Sequence, residues 1–344
     1  MSVRFFIVGG AEAGRPVGAC LSSRLTLPRS VVRRLLRDGH VRVNGALCDD
    51  PHRRLQRGQR VQVRSPKSSK SPSGGRKPFE KQRTQGAYAP RPVPGPRPTI
   101  RYADKHLVVV DKPAGLTTMR HAEEVAEFGK RAKRFLPPTL ADLLPDLLAR
   151  RSPDKKTPVR AVHRLDKETS GLVVFARTLE AERHLGKQFR AHTIERQYLA
   201  VVRGRAKNAR IESWLVPDRG DGRRGSSTTP GEGRRAVTHI RVLEALGDFT
   251  LVECRLETGR THQVRIHLGE SGTPLCGERI YDRPLHGKPL PDDSGIGRAA
   301  LHAALLGFEH PTTGERMRWS SSLPRDLAAL VERLRSGRND SSTR

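Results

Sequence analysis

Apolar residues near the start of the chain recur at two different spacings, which predict a helix followed by a hairpin. Residues 30–38 read Ser-Val-Val-Arg-Arg-Leu-Leu-Arg-Asp, with apolar positions at helical spacing and a serine suited to cap the helix. The segment Val41–Val43 alternates as a strand does, and the Asn44-Gly45 pair that follows is a strong hairpin signal. Residues 60–63 alternate again. We therefore predict a small α/β-hairpin domain over residues 1–64.

Longer apolar runs begin after residue 98 and predict a larger domain. Its connections suit antiparallel or mixed strand pairing better than regular βαβ units, so we predict an α+β fold with a mixed, largely antiparallel sheet. Strands are predicted at residues 107–110, 172–176, 198–202, 238–243, 249–256 and 263–268, and helices at 139–150 (interrupted near Pro145) and 179–190.

Composition places a boundary between these two domains. Residues 65–98 are rich in proline, lysine and arginine and hold almost no aliphatic side chains, so they cannot bury enough apolar surface to fold. We predict a basic, proline-rich linker there, the larger domain at residues 99–335, and a disordered tail at 336–344. Two further stretches, residues 120–138 and 219–235, are predicted to be inserted or mobile.

The charge of the chain points to a polyanionic partner. The 344 residues carry a formal net charge of +29, for which nucleic acid is the leading candidate. No stretch approaches the roughly 20 apolar residues that span a bilayer, and no signal peptide is evident. The four cysteines are scattered, which predicts reduced, buried thiols in a cytosolic protein.

Several arginines are candidates for contact with that nucleic acid. The predicted helix at residues 30–38 presents Arg33, Arg34 and Arg37 on its polar side, beside the hairpin. Arg260, which lies just before the predicted strand at 263–268, is a further expected contact. We therefore predict that the small domain and the larger one both contact RNA.

One carboxylate stands out as a candidate for chemistry. Asp166 lies between Arg164 and Lys167, in a turn-forming stretch just before the apolar run at residues 172–176. An acid among cations at the mouth of a strand stays ionised. Such a group suits a nucleophile or a proton acceptor aimed at a bound substrate.

The predicted strand at residues 263–268 offers a partner for this acid. Residues two apart share a face of a strand, so Gln263, Arg265 and His267 are expected on one side. Arg265 in the middle of a strand is costly unless an anion meets it. We predict that Asp166 does so, held bidentately by the guanidinium.

Three other kinds of site fit the sequence less well. His262 and His267 lie too far out of register, and too far from any acid or cysteine, to predict a metal site. Asp166 and Glu168 could form a glycosidase pair, but such pairs usually come from separate elements. The glycines near residues 8–14 lack the spacing of a dinucleotide-binding loop.

The segment His163-Arg164-Leu165-Asp166-Lys167-Glu168-Thr169-Ser170-Gly171 resembles the signature of the RluA-type pseudouridine synthases. Residues 14–64 likewise resemble the small RNA-binding domain named after the fourth protein of the small ribosomal subunit. The larger similarity covers about residues 100–330 and includes Asp111-Lys112-Pro113-Ala114-Gly115-Leu116, Tyr198-Leu199-Ala200, Ala236-Val237-Thr238, residues 259–268, Pro274-Leu275-Cys276-Gly277, Leu301-His302-Ala303 and Leu306-Gly307-Phe308.

The resemblance implies roles for particular residues. Asp166 would be the catalytic aspartate, Arg265 its ion-pair partner, and Tyr198 the ring that stacks on the target uracil. Arg164 would enter the RNA stack in place of the flipped nucleotide.

The implied reaction converts uridine to pseudouridine in ribosomal or transfer RNA. It rearranges one nucleotide without oxidation, so we expect no cofactor and no metal. We also expect a monomer that needs no membrane. The alternatives are a non-catalytic RNA-binding or ribosome-assembly factor, and a hydrolase that releases free uracil.

Overall fold

The computed structural model describes residues 3–10, 12–25, 32, 35–36, 39–64, 97–120, 137–150, 158–284 and 287–341. The chain divides into two compact units, Met1–Val93 and Pro94–Arg344. Arg33, Arg34, Arg37, most of the predicted linker and most of the stretch 120–138 lie outside the described residues. No helix of the described residues is long and apolar enough to cross a bilayer.

The small unit is built on a four-stranded antiparallel sheet in the order β1-β4-β2-β3. Asn44 and Gly45 have φ angles of 51° and 83° and form the tight turn between β2 and β3, as predicted. One core holds buried side chains from the sheet, from α1 and from the helical Val32 and Leu36. The elements are β1 (Val3–Ile7), α1 (Val17–Leu25), β2 (Val41–Val43), β3 (Ala46–Leu47) and β4 (Arg60–Arg64).

The large unit is organised around an eleven-stranded sheet. Nine strands follow the order β11-β10-β12-β13-β9-β14-β8-β6-β5, and the other two are β15, which pairs with β14, and β7, which pairs with β8. In the part of the chain that is described, only β14 and β8 pair in parallel, so the predicted mixed, largely antiparallel sheet is confirmed. Its strands are β5 (Thr99–Ala103), β6 (Leu107–Lys112), β7 (Arg160–Ala161), β8 (Ser170–Ala176), β9 (Glu195–Arg203), β10 (Ala209–Val216), β11 (Gly225–Ser226), β12 (Arg234–Leu246), β13 (Phe249–Leu256), β14 (Leu301–Glu309) and β15 (Arg316–Ser320).

Strand β8 is buried on both faces. Leu172 and Val174 pack in a core with α3, whereas Val173 and Phe175 pack in a second core with α2. This arrangement explains the unbroken apolar run that predicted a buried strand. The helices in the described part of this unit are α2 (Leu140–Ala149), α3 (Leu179–Ala191), α4 (Gln263–Glu270) and α5 (Arg325–Ser341).

Pro145 does not interrupt helix α2, contrary to the prediction. Thr139 and Asp142 form a capping box at its start, and Leu140, Leu144 and Leu148 are buried. The helix is therefore stabilised at its N-terminus by the cap and along its length by packing. The proline removes only one backbone hydrogen-bond donor.

The predicted strand at residues 263–268 is wrong, because these residues form helix α4. The alternation of polar and apolar residues does not mark two faces here, since every residue from Gln263 to Gly269 is buried. The polar side chains have buried partners instead: Gln263 Nε2 donates to Val237 O at 3.0 Å, and His267 Nε2 meets Ser213 Oγ at 3.0 Å.

The structure also differs from the prediction of a disordered tail and from that of an inserted or mobile stretch at residues 219–235. Helix α5 continues to Ser341, so most of the predicted tail at residues 336–344 is helical. The stretch 219–235 is tied to the end of α4: Arg219 Nη1 donates to Glu270 Oε1 at 2.7 Å, and the Ser226 backbone N–H donates to the same oxygen at 3.0 Å. Gly225 and Ser226 form a strand within it.

Candidate active site

The loop that carries Asp166 is fixed by hydrogen bonds to the turn after β6. Thr118 Oγ1 donates to Leu165 O at 2.7 Å and accepts from the Leu165 N–H at 3.2 Å. The Gly115 N–H donates to Lys167 O at 2.8 Å. The backbone on both sides of Asp166 is therefore held, and its side chain has a defined direction.

Lys112 lies beneath these two loops and is fully buried. Its Nζ donates to Leu116 O at 2.8 Å and to Lys167 O at 3.3 Å, so the ammonium joins the turn to the Asp166 loop. Burial lowers the pKa of Lys112 to about 7, against the attraction of the Asp166 carboxylate.

A close approach between β8 and β14 places the Asp166 loop against the rest of the sheet. Gly171 has a φ of 112°, and a Cβ there would lie 2.3 Å from Ala303 O. Only glycine therefore allows the parallel pairing of Ala303 with Gly171 in this geometry.

Asp166 and Arg265 are 99 residues apart in the chain, and the fold brings them into contact: Arg265 Nη1 lies 3.3 Å from Asp166 Oδ2. The expected bidentate grip belongs to another acid. Arg265 Nε donates to Glu278 Oε2 at 2.6 Å and Nη2 donates to Glu278 Oε1 at 2.8 Å. Glu278 thus accepts from two nitrogens of Arg265, Nε and Nη2, and the third nitrogen, Nη1, is the one that contacts Asp166.

Charge within this triplet is strongly stabilised. Burial opposes the charged form of Arg265, but its hydrogen bonds and ion pair with Glu278 outweigh burial and raise the pKa of the guanidinium. Burial would raise the pKa of Glu278, yet Arg265 and the N–H groups of Ile280 and Tyr281 lower it. Both groups therefore remain ionised at neutral pH.

His262 is a second neighbour of Asp166. It lies at the N-cap of α4 in the left-handed conformation (φ 60°), which turns its ring towards the acid: Nε2 is 3.7 Å from Asp166 Oδ1. Its Nδ1 lies 2.8 Å from the Tyr281 hydroxyl. Burial lowers the pKa of His262 and raises that of Tyr281 to about 12, so both are neutral at pH 7.

These residues open onto a cleft with about 370 Å³ of empty space, including its mouth. The cleft brings together five residues that the sequence singled out, Arg164, Asp166, Tyr198, Arg260 and Arg265. Its apolar lining comes from Leu165, Leu256, Val264 and Leu301. Tyr198, on β9, is half-buried there, and burial raises the pKa of its hydroxyl.

Two other expectations can be compared with the geometry. The second acid of the glycosidase alternative, Glu168, accepts the Ala299 N–H through Oε2 at 3.4 Å, which is a loop contact. No group of three potential metal-ligating side chains occurs among the residues for which positions are described.

Sequence reasoning missed Glu278, His262, Tyr281 and Lys112. A signal for Glu278 existed, because it directly follows the Pro274-Leu275-Cys276-Gly277 segment that carried part of the family resemblance. Lys112 lies inside another such segment. The contact from Tyr281 to His262 has no comparable signature, since it depends on the left-handed backbone at residue 262.

The chain is similar to RNA pseudouridine synthases over nearly its whole length. The family model described as RNA pseudouridylate synthase matches residues 106–270, and that of the S4 domain matches residues 20–61. The ribosomal large subunit pseudouridine synthase D of Xanthomonas campestris pv. campestris is 34% identical over 341 residues, which cover 97% of this chain and 93% of that protein. The ribosomal large subunit pseudouridine synthase C of Escherichia coli K12 is 30% identical, with 98% of each chain covered.

A solved structure supports the same relationship. Human RNA pseudouridylate synthase domain containing 4 matches with a TM-score of 0.55 at 25% identity, covering 69% of this chain and 93% of that one. The chain therefore belongs to the RluA-type family of RNA pseudouridine synthases, enzymes that isomerise uridine in RNA, and carries an S4 RNA-binding domain ahead of its synthase domain.

Proposed function

We propose that Asp166 is the catalytic group of this synthase and that Arg265 and Tyr198 act with it. The observation that carries the proposal is the 3.3 Å contact between Arg265 and Asp166 inside a cleft that Tyr198 also lines. The cleft contains a carboxylate, an aromatic ring and an apolar wall, which are the parts that the isomerisation requires.

The reaction breaks the bond between N1 of uracil and C1′ of ribose, turns the base, and joins C5 to C1′. The proton on C5 is lost, and N1 gains one, so nothing is oxidised or reduced. Asp166 attacks C1′ or removes a proton from the neighbouring ribose carbon. Either first step uses the carboxylate that Arg265 Nη1 contacts at 3.3 Å.

Tyr198 is suited to hold the uracil while it is detached from the sugar. Its ring lines the cleft beside Asp166, and the apolar side chains Leu165, Val264 and Leu301 exclude water that would intercept the sugar. A stacked uridine cannot reach Asp166, so it must be flipped into the cleft. Arg164, exposed at the cleft, is suited to fill the gap in the RNA stack.

We further propose that the substrate is ribosomal RNA of the large subunit, with transfer RNA as the alternative. Support comes from two relatives that match nearly the whole chain, both of which are named as ribosomal large subunit pseudouridine synthases. The enzyme would act as a cytoplasmic monomer, without a small-molecule cofactor. Arg260, and the arginines at positions 33, 34 and 37, would contribute to RNA binding in the two domains.

The test of this function is Asp166→Asn, which keeps the size of the side chain and removes its charge. Purified protein is incubated with large-subunit ribosomal RNA and with transfer RNA, and pseudouridine is mapped site by site. We expect wild-type protein to form pseudouridine and Asp166→Asn to form none.

Glu168→Gln is the matched control, because Glu168 lies in the same loop and contacts Ala299 rather than the cleft. It should retain activity. Equal pseudouridine from wild type and Asp166→Asn would refute the assignment of Asp166. Unchanged growth and ribosome assembly in cells carrying Asp166→Asn would instead favour a role as a non-catalytic assembly factor.

A further inference from the structure

Arg196, on β9, is a buried arginine whose charge has no counterpart in the described part of the chain. The residue is only 9% exposed, and two of its guanidinium nitrogens, Nε and Nη2, are buried and have no hydrogen-bond partner there. Among the described residues no carboxylate forms an ion pair with it, and its one notable contact is the Phe189 ring, 5.7 Å from Cζ. A buried cation in this state is costly unless an anion arrives.

A second arginine of the same strand shows how such a charge is normally accommodated. Arg203 is 6% exposed, and its Nη1 donates to Leu290 O at 2.6 Å and to Pro291 O at 3.2 Å. Its Nη2 donates to Glu278 O at 3.3 Å. Only Nε of Arg203 is without a partner. Lack of partners is therefore not a general property of buried arginines on β9.

Arg196 lies close in the chain to a residue that lines the cleft. It lies two residues before Tyr198 on the same strand, so both side chains project from one face of the sheet. Its Nη1 occupies the space that a side chain at residue 259 would need, which explains the glycine there. Gly259 directly precedes Arg260, which lines the cleft.

Electrostatics at this end of the cleft favour an anion. Burial lowers the pKa of Arg196, and the charge of Arg260 lowers it further. Arg260 is half-buried, and its Nε donates to Arg235 O at 3.0 Å, which anchors the side chain near Gly259. The guanidinium of Arg196 thus lies against Gly259, its charge is close enough to Arg260 for the two to repel, and Arg260 lines the cleft.

We propose that Arg196 and Arg260 form a binding site for one backbone phosphate of the RNA, next to the flipped uridine. The inference rests on the proposed function, because it takes the cleft to be the place where the nucleotide enters. A phosphate has the several acceptor oxygens that two guanidinium groups can engage, and RNA supplies one at each linkage. In the free enzyme the Arg196 guanidinium has no anion beside it among the described residues, and the RNA phosphate would supply one.

The test measures RNA binding in an Asp166→Asn background, where turnover does not disturb the equilibrium. The probe is a fragment of large-subunit ribosomal RNA, and Arg196→Met is added to the background variant. We expect Kd to rise at least about tenfold at 0.1 M salt. The slope of log K against log salt should become less steep by about 0.7, the value for one lost contact to single-stranded RNA.

Thermal unfolding without RNA distinguishes a binding role from a structural one. Arg196→Met removes an uncompensated charge, so its Tm should equal or exceed that of the parent. Arg203→Met is the matched control: it removes three hydrogen bonds to carbonyls, and should lower Tm while leaving the salt slope unchanged. Inorganic phosphate should raise the Tm of the parent more than that of Arg196→Met.

Two results would overturn the proposal. One is unchanged RNA affinity and salt slope in Arg196→Met, and the other is a loss of Tm as large as that of Arg203→Met. Activity of the Asp166→Asn protein, measured separately, would refute the proposed catalytic role without bearing on the phosphate site, since binding is measured independently.

Discussion

At the residue scale, the site is organised as a chain of charges rather than as a single ion pair. Glu278 holds Arg265 by two short hydrogen bonds, and Arg265 offers its remaining nitrogen to Asp166. A guanidinium can do this because its donors diverge in one plane, whereas an ammonium cannot. The direction from which Asp166 is approached is therefore set by Glu278, an acid whose side chain is fully buried.

Because of His163, the stability of the protein should fall as the pH is lowered. Burial lowers its pKa to about 3, its Nε2 accepts the Val174 N–H at 3.0 Å, and its ring stacks on Phe189. Below the normal pKa of about 6.5, the unfolded chain takes up a proton here and the folded protein does not. This group therefore reduces the free energy of unfolding as pH falls from about 6.5 to about 3.

His163→Phe keeps the ring but loses both the acceptor and the titration. At pH 7 we expect the variant to be less stable than wild type by about 1–3 kcal/mol, because the Val174 N–H loses its partner. The difference should shrink below pH 6.5, by at most about 1.4 kcal/mol per pH unit. Urea unfolding between pH 7 and pH 4 measures it, and a difference that stays constant would contradict the assignment.

At the scale of the elements, the sequence was sufficient where one periodicity dominated. The apolar run of β8, the mostly buried strand β13 and the amphipathic α3 were all predicted close to their observed bounds. Helix α4 was not, because its alternating polar residues are buried and bonded rather than exposed. Asp166, Tyr198 and Arg265 could be proposed from motifs. Glu278 follows a family motif, but its pairing with Arg265 and the lack of described partners for Arg196 became evident only through burial and contacts.

The contact between β8 and β14 limits what residue 171 can be. Gly171→Ala would place a methyl group against Ala303 O and force the two strands apart. We expect a loss of about 1–3 kcal/mol in the free energy of unfolding, with reduced activity because the Asp166 loop precedes β8.

Gly247→Ala is the control for backbone strain alone. Gly247 also has a positive φ, 67°, but a Cβ there would meet nothing within 4 Å. It should cost only roughly 1 kcal/mol and leave activity intact. Thermal unfolding and pseudouridine formation compare the two variants, and an equal loss in both would show that the close approach to β14 is unimportant.

At the scale of the whole molecule, the dominant property is a net charge of +29. We expect both domains to contact phosphate groups and the cleft alone to recognise uracil. Affinity and selectivity are thus expected to come from different parts of the chain, with phosphate contacts supplying most of the affinity.

Salt should therefore weaken binding strongly. For a fragment of large-subunit ribosomal RNA we expect Kd to rise at least about tenfold between 50 and 200 mM salt, as three or more phosphate contacts would require. Fluorescence anisotropy of labelled RNA measures this change. A Kd that hardly moves over that range would mean that contacts to bases, rather than to phosphates, dominate the affinity.

The position of β14 between β8 and β9 has a consequence for how the enzyme is made. The loop of Asp166 precedes β8, and Tyr198 lies on β9. Strand β14, which pairs with both, begins more than a hundred residues after Tyr198 in the chain. During synthesis on the ribosome, the two sides of the cleft cannot be joined before residues 301–309 have emerged. A nascent chain that ends before this strand therefore lacks the complete cleft, and we expect it to have no synthase activity.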